Sequence, residues 1–357
     1  MTATAVRAQT SHAYLDLHHP APQISAGAYA AEIRRSLKVL AVLRELRPSD
    51  LFSRRPPVFN KDLISVVIPM RNAGRWIDLC LKGVLAQTYD HFEVFCVDDC
   101  SEDDSYDRVV RQFGGDRRLA VFRLARRVGP YQIKNWVLAE LARGRLIALQ
   151  DADDVSHPTR LAEQSAWMQR HRLRVCGTCV HQFFPAGIRP RSGTSILLKA
   201  GRYRHSLAIY PHVPAVRGRV GFQYLLSGPH GVVSKHGSQV FERDLLLEFG
   251  GFDGHTMLGG DSDLNRRLLR YVDIGNVPSV LYSRRLHHNS LSRHPATGHH
   301  SSIRRQYFAE CERLQEQILR ALAHGDRRLA KTLSTTDLFY ADVAVAESHS
   351  GFSIRGL

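Results

Sequence analysis

The chain has 357 residues, 43% of them hydrophobic, which suits one large α/β domain with extensions or two domains. Its net charge is +15, carried mostly by arginine, a bias that suits phosphate and carboxylate binding and equally reflects a GC-rich genome. No apolar run approaches the roughly 18 residues of a membrane-spanning helix, the first residues lack the apolar stretch of a leader, and no nucleic-acid module is present; the expectation is a cytosolic protein with no nucleic-acid partner.

Residues 1–25 mix small and polar side chains and are expected to lack structure. Over 27–47, Ala30, Ile33, Leu37, Leu40, Leu43 and Leu46 recur at helical spacing, with Arg34, Arg35 and Lys38 between them. That is an amphipathic helix. Its apolar face is expected on the body of the protein, with a partner or a peripheral contact at the inner face of a membrane as alternatives. Ser53 to Pro57 reads as a linker.

From residue 64 strands and helices alternate. Ile64–Ile68, Phe92–Val97, Ala120–Leu124 and Leu146–Leu149 read as apolar strands, and Ile77–Leu85, Ser105–Phe113 and Ile133–Leu141 as helices. This βαβαβαβ rhythm predicts a mostly parallel, Rossmann-like sheet with helices on both faces. Cys176-Gly177-Thr178-Cys179 has half of a zinc-site spacing, but no second half follows, and Val175–Val180 reads as a buried strand. Residues 185–238 show no period and are expected to form a substrate-binding loop region. Helical signal returns at Asp244–Glu248, Asp263–Tyr271 and Ile303–Leu333, and residues from about Ala346 are expected to be disordered. Trp76, Trp136 and Trp167 fall in helical segments, where core packing is the expectation for each.

Two acidic clusters lie at predicted strand ends. Asp98-Asp99 ends the second strand, and Asp151-Ala152-Asp153-Asp154 follows the fourth. Ligands of such sheets bind outside the carboxyl ends of the strands. Three carboxylates in four residues suit Mg²⁺ or Mn²⁺, which is normally held by one or two carboxylates with substrate phosphates completing its shell. An acidic turn capping the helix near Pro158, and Asx-turns at Asp98-Asp99, are the structural alternatives. Arg126, Arg127 and Lys134 flank Gly129-Pro130, and any of them could reach a diphosphate.

Taken in order, Val67-Ile68-Pro69-Met70-Arg71-Asn72, Val97-Asp98-Asp99-Cys100-Ser101, Gly144 through Asp154, Gly250-Gly251-Phe252-Asp253 and Gly260-Asp261 resemble family 2 glycosyltransferases of the GT-A fold over about 62–293. The resemblance implies an N-terminal tail and helix (1–60), a GT-A domain (61–295) with nucleotide-binding (61–155) and acceptor-binding (156–295) parts, and a C-terminal helical extension (296–357). It implies a nucleotide-sugar donor, UDP being the commonest, and a saccharide or other hydroxyl acceptor. Pro69, Asn72, Asp98, Asp99, Lys134, Asp151 and Arg285 would line the donor site. Asp151-Ala152-Asp153 matches the family's DxD, and Asp151, Asp153 and His287, the last from Arg285-Leu286-His287-His288-Asn289-Ser290, would hold Mn²⁺ or Mg²⁺. Asp261 would be the base that takes the acceptor's proton. The family's Glu-Asp pair is here Gly260-Asp261, a departure that keeps Asp263 as a second candidate base and keeps open a non-catalytic nucleotide-sugar-binding protein of the same fold. Asp151-Ala152-Asp153-Asp154-Val155 also fits the nucleophile motif of haloacid-dehalogenase-like phosphohydrolases, although there it follows the first strand rather than the fourth.

Overall fold

The computed structural model describes residues 26–51, 63–185, 198–200, 203–208, 234–298, 301–340 and 343–352. The expected unstructured stretch 1–25, the Ser53–Pro57 linker and most of 185–238 lie outside the described residues.

The first half alternates as the periodicity predicts. Strand β1 (Ile64–Met70) leads to α2 (Ile77–Leu85), β2 (Phe92–Asp98), α3 (Ser105–Phe113), β3 (Leu119–Leu124), α4 (Pro130–Trp136) and β4 (Leu146–Leu149); a helix α1 (Ala26–Glu45) precedes them. β3, β2, β1 and β4 lie side by side and parallel. Their side chains alternate between two cores. Val66, Ile68, Val94 and Cys96 face α2 and α3, while Val67, Phe95, Val97 and Phe122 face α4. Burial on both faces is what makes these strands continuous apolar runs.

After β4 the sheet becomes mixed. β5 (Val155–Ser156), α5 (Arg160–His171), β6 (Val175–Pro185), β7 (Leu198–Ala200), β8 (Tyr203–Ala208), β9 (Val240–Glu242), α6 (Arg243–Glu248), α7 (Gly260–Leu268) and β10 (Ile274–Arg285) build the second half. β9 bridges the halves, antiparallel to both β4 and β6, and β10 runs parallel to β6. Helices α8 (Ser302–Ala323) and α9 (Arg327–Leu333) follow, and then β11 (Val345–Ser350). The architecture is thus α/β with a mixed sheet around a parallel core, covered by helices on both faces.

Four details differ from expectation. The helix read over Ile133–Leu141 starts earlier, with Pro130 in its first turn after Gly129 at φ 92°, and closes in a π-helical turn over Val137–Leu141. The stretch 185–238 contains the hairpin β7–β8, which extends the sheet beside β6. Of the residues from Ala346, expected to be disordered, 353–357 lie outside the described residues, and those up to Ser350 belong to β11, antiparallel to β3. Its polar sequence hides it, because an edge strand open to solvent needs no alternating apolar pattern; Arg123–Glu347 (2.9 Å) and Phe352 against Phe95 (5.9 Å between ring centres) fix it. Trp76 precedes α2 and is only half-buried, whereas Trp136 is in the core.

α1 packs on the body. Ile33 meets Cys179, Leu207 and Val280, and Leu40 and Leu43 meet Val155 and Phe183. Arg35 Nη2 also donates to Val280 O at 3.0 Å. The face that an alternative partner or membrane would need is therefore occupied, and the outward side carries Arg34, Lys38 and Val42. Among the described residues no helix is long and apolar enough to cross a membrane. Cys176 and Cys179 are buried on β6 as free thiols, as the strand reading predicts.

Candidate active site

The two acidic clusters sit at the carboxyl ends of the parallel strands. Asp98 is fully buried and accepts from the backbone N–H of Ser101 (3.1 Å) and from its hydroxyl. Asp99 accepts from Val128 N (2.7 Å) and Gly129 N (3.0 Å), one on each oxygen, and so holds the turn that enters α4. Burial pushes both carboxyls up, opposed by these bonds. Pro69 lies on β1 in register with Val97. Asn72, at φ 49°, accepts from Glu102 N (2.9 Å) through its side chain and ties the two strand ends together.

The loop after β4 hangs on a buried polar network. Gln150 Nε2 donates to Asp151 O (2.9 Å) and Asp154 O (3.1 Å). The buried Arg160 supports Gln150 Oε1 (3.1 Å), Ser156 Oγ (2.8 Å) and Leu149 O (2.8 Å). The three carboxylates part ways. Asp154 is buried and accepts from Arg285 N at 2.7 Å; burial, with Asp153 and Asp151 beside it, lifts its carboxyl well above the usual range. Asp153 Oδ2 meets His287 Nε2 at 2.8 Å. Burial would raise Asp153, but the bond to His287 and its charge prevail and hold it below the usual range. Asp151 faces the segment ahead of β9: a Cβ added at Gly237 would run into the Tyr282 hydroxyl and lie 2.6 Å from Asp151 Oδ2, so any larger residue there pushes these side chains aside.

That segment supplies Lys235 and His236. Lys134, on α4 and nearly fully buried, donates from Nζ to His236 Nε2 at 2.8 Å. Burial lowers both lysines, while Asp151 and Asp261 pull them back up. Asp261 stands in the first turn of α7 and accepts from the Tyr131 hydroxyl at 3.1 Å. Burial alone would raise its carboxyl, but His236, Lys235 and Lys134 beside it prevail and hold it far below the usual carboxylate range. The missing glutamate has a structural counterpart. A Cβ at Gly260 would lie 3.1 Å from the Tyr131 ring, which fills that room, and the Tyr131 hydroxyl is what Asp261 meets. Asp263, the second candidate base, is paired instead with the fully buried Arg267 (2.7 Å).

Arg285 does not simply face outward to a phosphate. Its guanidinium lies over both Trp76 (4.4 Å) and Phe183 (4.5 Å), and its Nε donates to Asp153 O at 3.2 Å. Trp76 also flanks the His287 ring, 5.5 Å between centres.

The structure therefore brings Asp153 together with His287, and Asp151 and Asp261 together with the Lys134–Lys235–His236 group. It does not gather Asp151, Asp153 and His287 into one set: among the described residues no group of three or more His, Cys, Asp or Glu is placed to hold a metal. A two-ligand arrangement does fit. The 2.8 Å between Asp153 Oδ2 and His287 Nε2 is close to that of adjacent octahedral ligands about 2.1 Å from one ion, which lie about 3.0 Å apart, and the remaining positions are those that substrate phosphates normally take. Lys235, His236, Gly237, Tyr131 and Trp76 were not found by sequence reasoning. The first three lie in a segment with no period, Trp76 reads as core, and nothing in the sequence singles out Tyr131.

Residues 65–219 match the model of glycosyl transferase family 2. GlyG, a glycosyltransferase of Streptococcus pneumoniae, is 35% identical over 94 residues, covering 26% of this chain and 31% of that protein. WbnJ, an O-antigen biosynthesis glycosyltransferase of Escherichia coli, is 24% identical over 235 residues, covering 64% and 82%. The crystal structure of S. aureus TarS 1–349 with UDP superposes at a TM-score of 0.47 with 17% identity, covering 76% of this chain and 88% of that one. The chain spans about half or less of the length of four curated relatives, from 21% to 51%. Over residues 65–219, therefore, the chain is similar to glycosyl transferase family 2, and the relatives it matches are themselves glycosyltransferases.

Proposed function

We propose that the protein is an inverting, metal-dependent glycosyltransferase that moves a sugar from a nucleoside-diphosphate donor, UDP-linked, to a hydroxyl of a saccharide acceptor. The observation that carries this reading is Asp261: a carboxylate kept ionised at the head of α7 by cations that also face Asp151. Asp261 accepts the proton of the acceptor hydroxyl, whose oxygen attacks the anomeric carbon. The bond to the leaving diphosphate breaks from the opposite side, so a single displacement inverts the centre. Lys134 and Lys235 offer positive charge where the diphosphate gains negative charge. Asp153 and His287 are the residues that would hold Mn²⁺ or Mg²⁺, which when bound neutralises charge on the leaving group. Asp98 and Asp99 shape the nucleotide end by fixing the Asp98–Ser101 turn and the entry to α4.

A panel of nucleotide sugars, with Mn²⁺, Mg²⁺ or EDTA, tests the reading. At least one donor is turned over, and EDTA abolishes turnover. Asp261→Asn lowers transfer by about 10²–10⁴-fold, the usual worth of a general base, while UDP still binds within a few-fold. Absence of any donor binding with either metal sinks the reading. Normal transfer by Asp261→Asn moves the base elsewhere. UDP binding without turnover of any donor favours a non-catalytic binding protein.

A further inference from the structure

The Lys134–His236 pair has a consequence beyond charge. Asp151 and Asp261 favour the charged form of Lys134, and an ammonium can only donate, so in the 2.8 Å contact His236 Nε2 is the acceptor. The imidazole is therefore neutral, and its one proton sits on Nδ1. Burial first, and then Lys134, push its pKa down to about 4, in agreement with a neutral ring. His236 is only 8% exposed, and its Nδ1 is buried with no hydrogen-bond partner. Its ring packs edge-to-face with Tyr131 and Phe252, whose ring faces are only weak acceptors. A buried donor left without a partner costs about 1–3 kcal/mol. Most such groups in native proteins are paired, so one that is not calls for an explanation. This one lies in the charge group that joins Asp151 to Asp261, where the proposed reaction places the donor's oxygens.

We propose that His236 is a substrate-binding residue whose Nδ1–H donates to an anionic oxygen of the donor's diphosphate, with Lys134 fixing the tautomer that makes this possible. The inference rests on the glycosyltransferase reading of the site. An uncharged acceptor oxygen would satisfy the same donor, but Lys134 and Lys235 beside it favour the phosphate.

Two substitutions separate binding from the holding of Lys134. His236→Asn keeps a side-chain N–H near the Nδ1 position and loses the Nε2 acceptor. His236→Gln keeps an acceptor toward Lys134 and loses Nδ1–H. UDP and inorganic pyrophosphate, each with Mn²⁺, are titrated by calorimetry, and thermal melting verifies that each variant folds. His236→Gln is expected to bind both probes about 10–100-fold more weakly, the range of one charge-assisted bond, and His236→Asn to bind within a few-fold of the parent. Loss of pyrophosphate affinity together with UDP affinity identifies the phosphate as the acceptor; loss of neither in His236→Gln overturns the proposal. Equal loss in both variants, or loss in His236→Asn alone, reduces His236 to a support for Lys134 and overturns it too. Should a variant unfold, long-range ¹H–¹⁵N spectra of the intact parent decide: the His236 Nδ1–H signal, in the neutral tautomer, shifts on adding UDP and Mn²⁺, and an unmoved signal refutes the contact. If the parent itself binds neither UDP nor pyrophosphate, the glycosyltransferase reading fails first.

Discussion

Asp261 and Asp263 are two residues apart at the head of one helix, yet they have different partners, Tyr131 and Arg267, and Asp263→Ala tests the division of roles proposed for them. Arg267 is fully buried; besides Asp263 it reaches the carbonyls of Phe249 (2.9 Å), Gly251 (2.8 Å) and Ser334 (3.4 Å). Removing the carboxylate leaves a buried guanidinium with carbonyl partners but no counter-charge. Breaking such a pair costs about 3–5 kcal/mol, and the three carbonyls argue for the lower end, about 3. With an unfolding entropy of about 2.1 cal/mol/K per residue, a folded unit of roughly 300 residues loses about 5 °C in Tm for that cost. Scanning calorimetry reads it directly. Asp263→Leu with Arg267→Met, which removes both charges, should recover much of the loss. Asp261→Asn should move Tm far less and remove transfer instead. If Asp263→Ala melts like the parent and abolishes transfer with UDP binding intact, the assignment of the two carboxylates is wrong.

Gly237→Ala places a methyl against the Tyr282 hydroxyl and 2.6 Å from Asp151 Oδ2; UDP affinity should fall by tenfold or more with little change in the fold by circular dichroism, and unchanged affinity would argue that neither side chain's position matters to donor binding. Stability should fall on acidification. His181 is fully buried on β6, and burial pushes its pKa down to about 3, whereas the unfolded value is about 6.5. Between those values the unfolded chain binds a proton that the native state refuses, so stability drops as pH falls through the window, by up to about 1.4 kcal/mol per pH unit. Urea titrations at pH 7 and 5 should show a flatter dependence for His181→Gln, and an equal slope would refute this origin. Deleting residues 344–352 should lower Tm and promote association through the exposed β3 edge; a monomer of parental Tm by light scattering and calorimetry would argue that β11 adds nothing.

The strands and helices of the first half were legible because their cause is local. β4 is apolar on both faces and bounded by Gly144 and Asp151, so its limits could be read to the residue. The acidic loops were legible as positions, being carboxylates at the ends of buried strands. What each carboxylate does was not. Asp151, Asp153 and Asp154 differ only in what tertiary folding sets beside them: Gly237, His287 and the backbone of Arg285. Nothing near Asp153 in the chain announces His287; only the resemblance, through Arg285-Leu286-His287, set the two side by side. Lys235 and His236 carry no period at all, since their segment takes its place from Asp151, Lys134 and β9 rather than from a core face of its own. Trp76 reads as the apolar start of a helix, and only the fold reveals two guanidinium groups on its faces. Arg285, which the motif assigns to phosphate, spends its stem and one N–H on holding the acidic loop.

β11 also sets a timetable for synthesis. β3 is complete once Leu124 has left the ribosome, but the strand that covers its outer edge begins only at Val345. At roughly 5–20 residues per second the interval is on the order of ten to forty seconds. Throughout it the nascent first half presents a row of unpaired backbone amides and carbonyls beside a nearly finished parallel core. Two ribosomes on one message would hold two such edges close together. Yield should therefore depend on translation speed and on chaperones that shield open strands, even when the finished protein is stable.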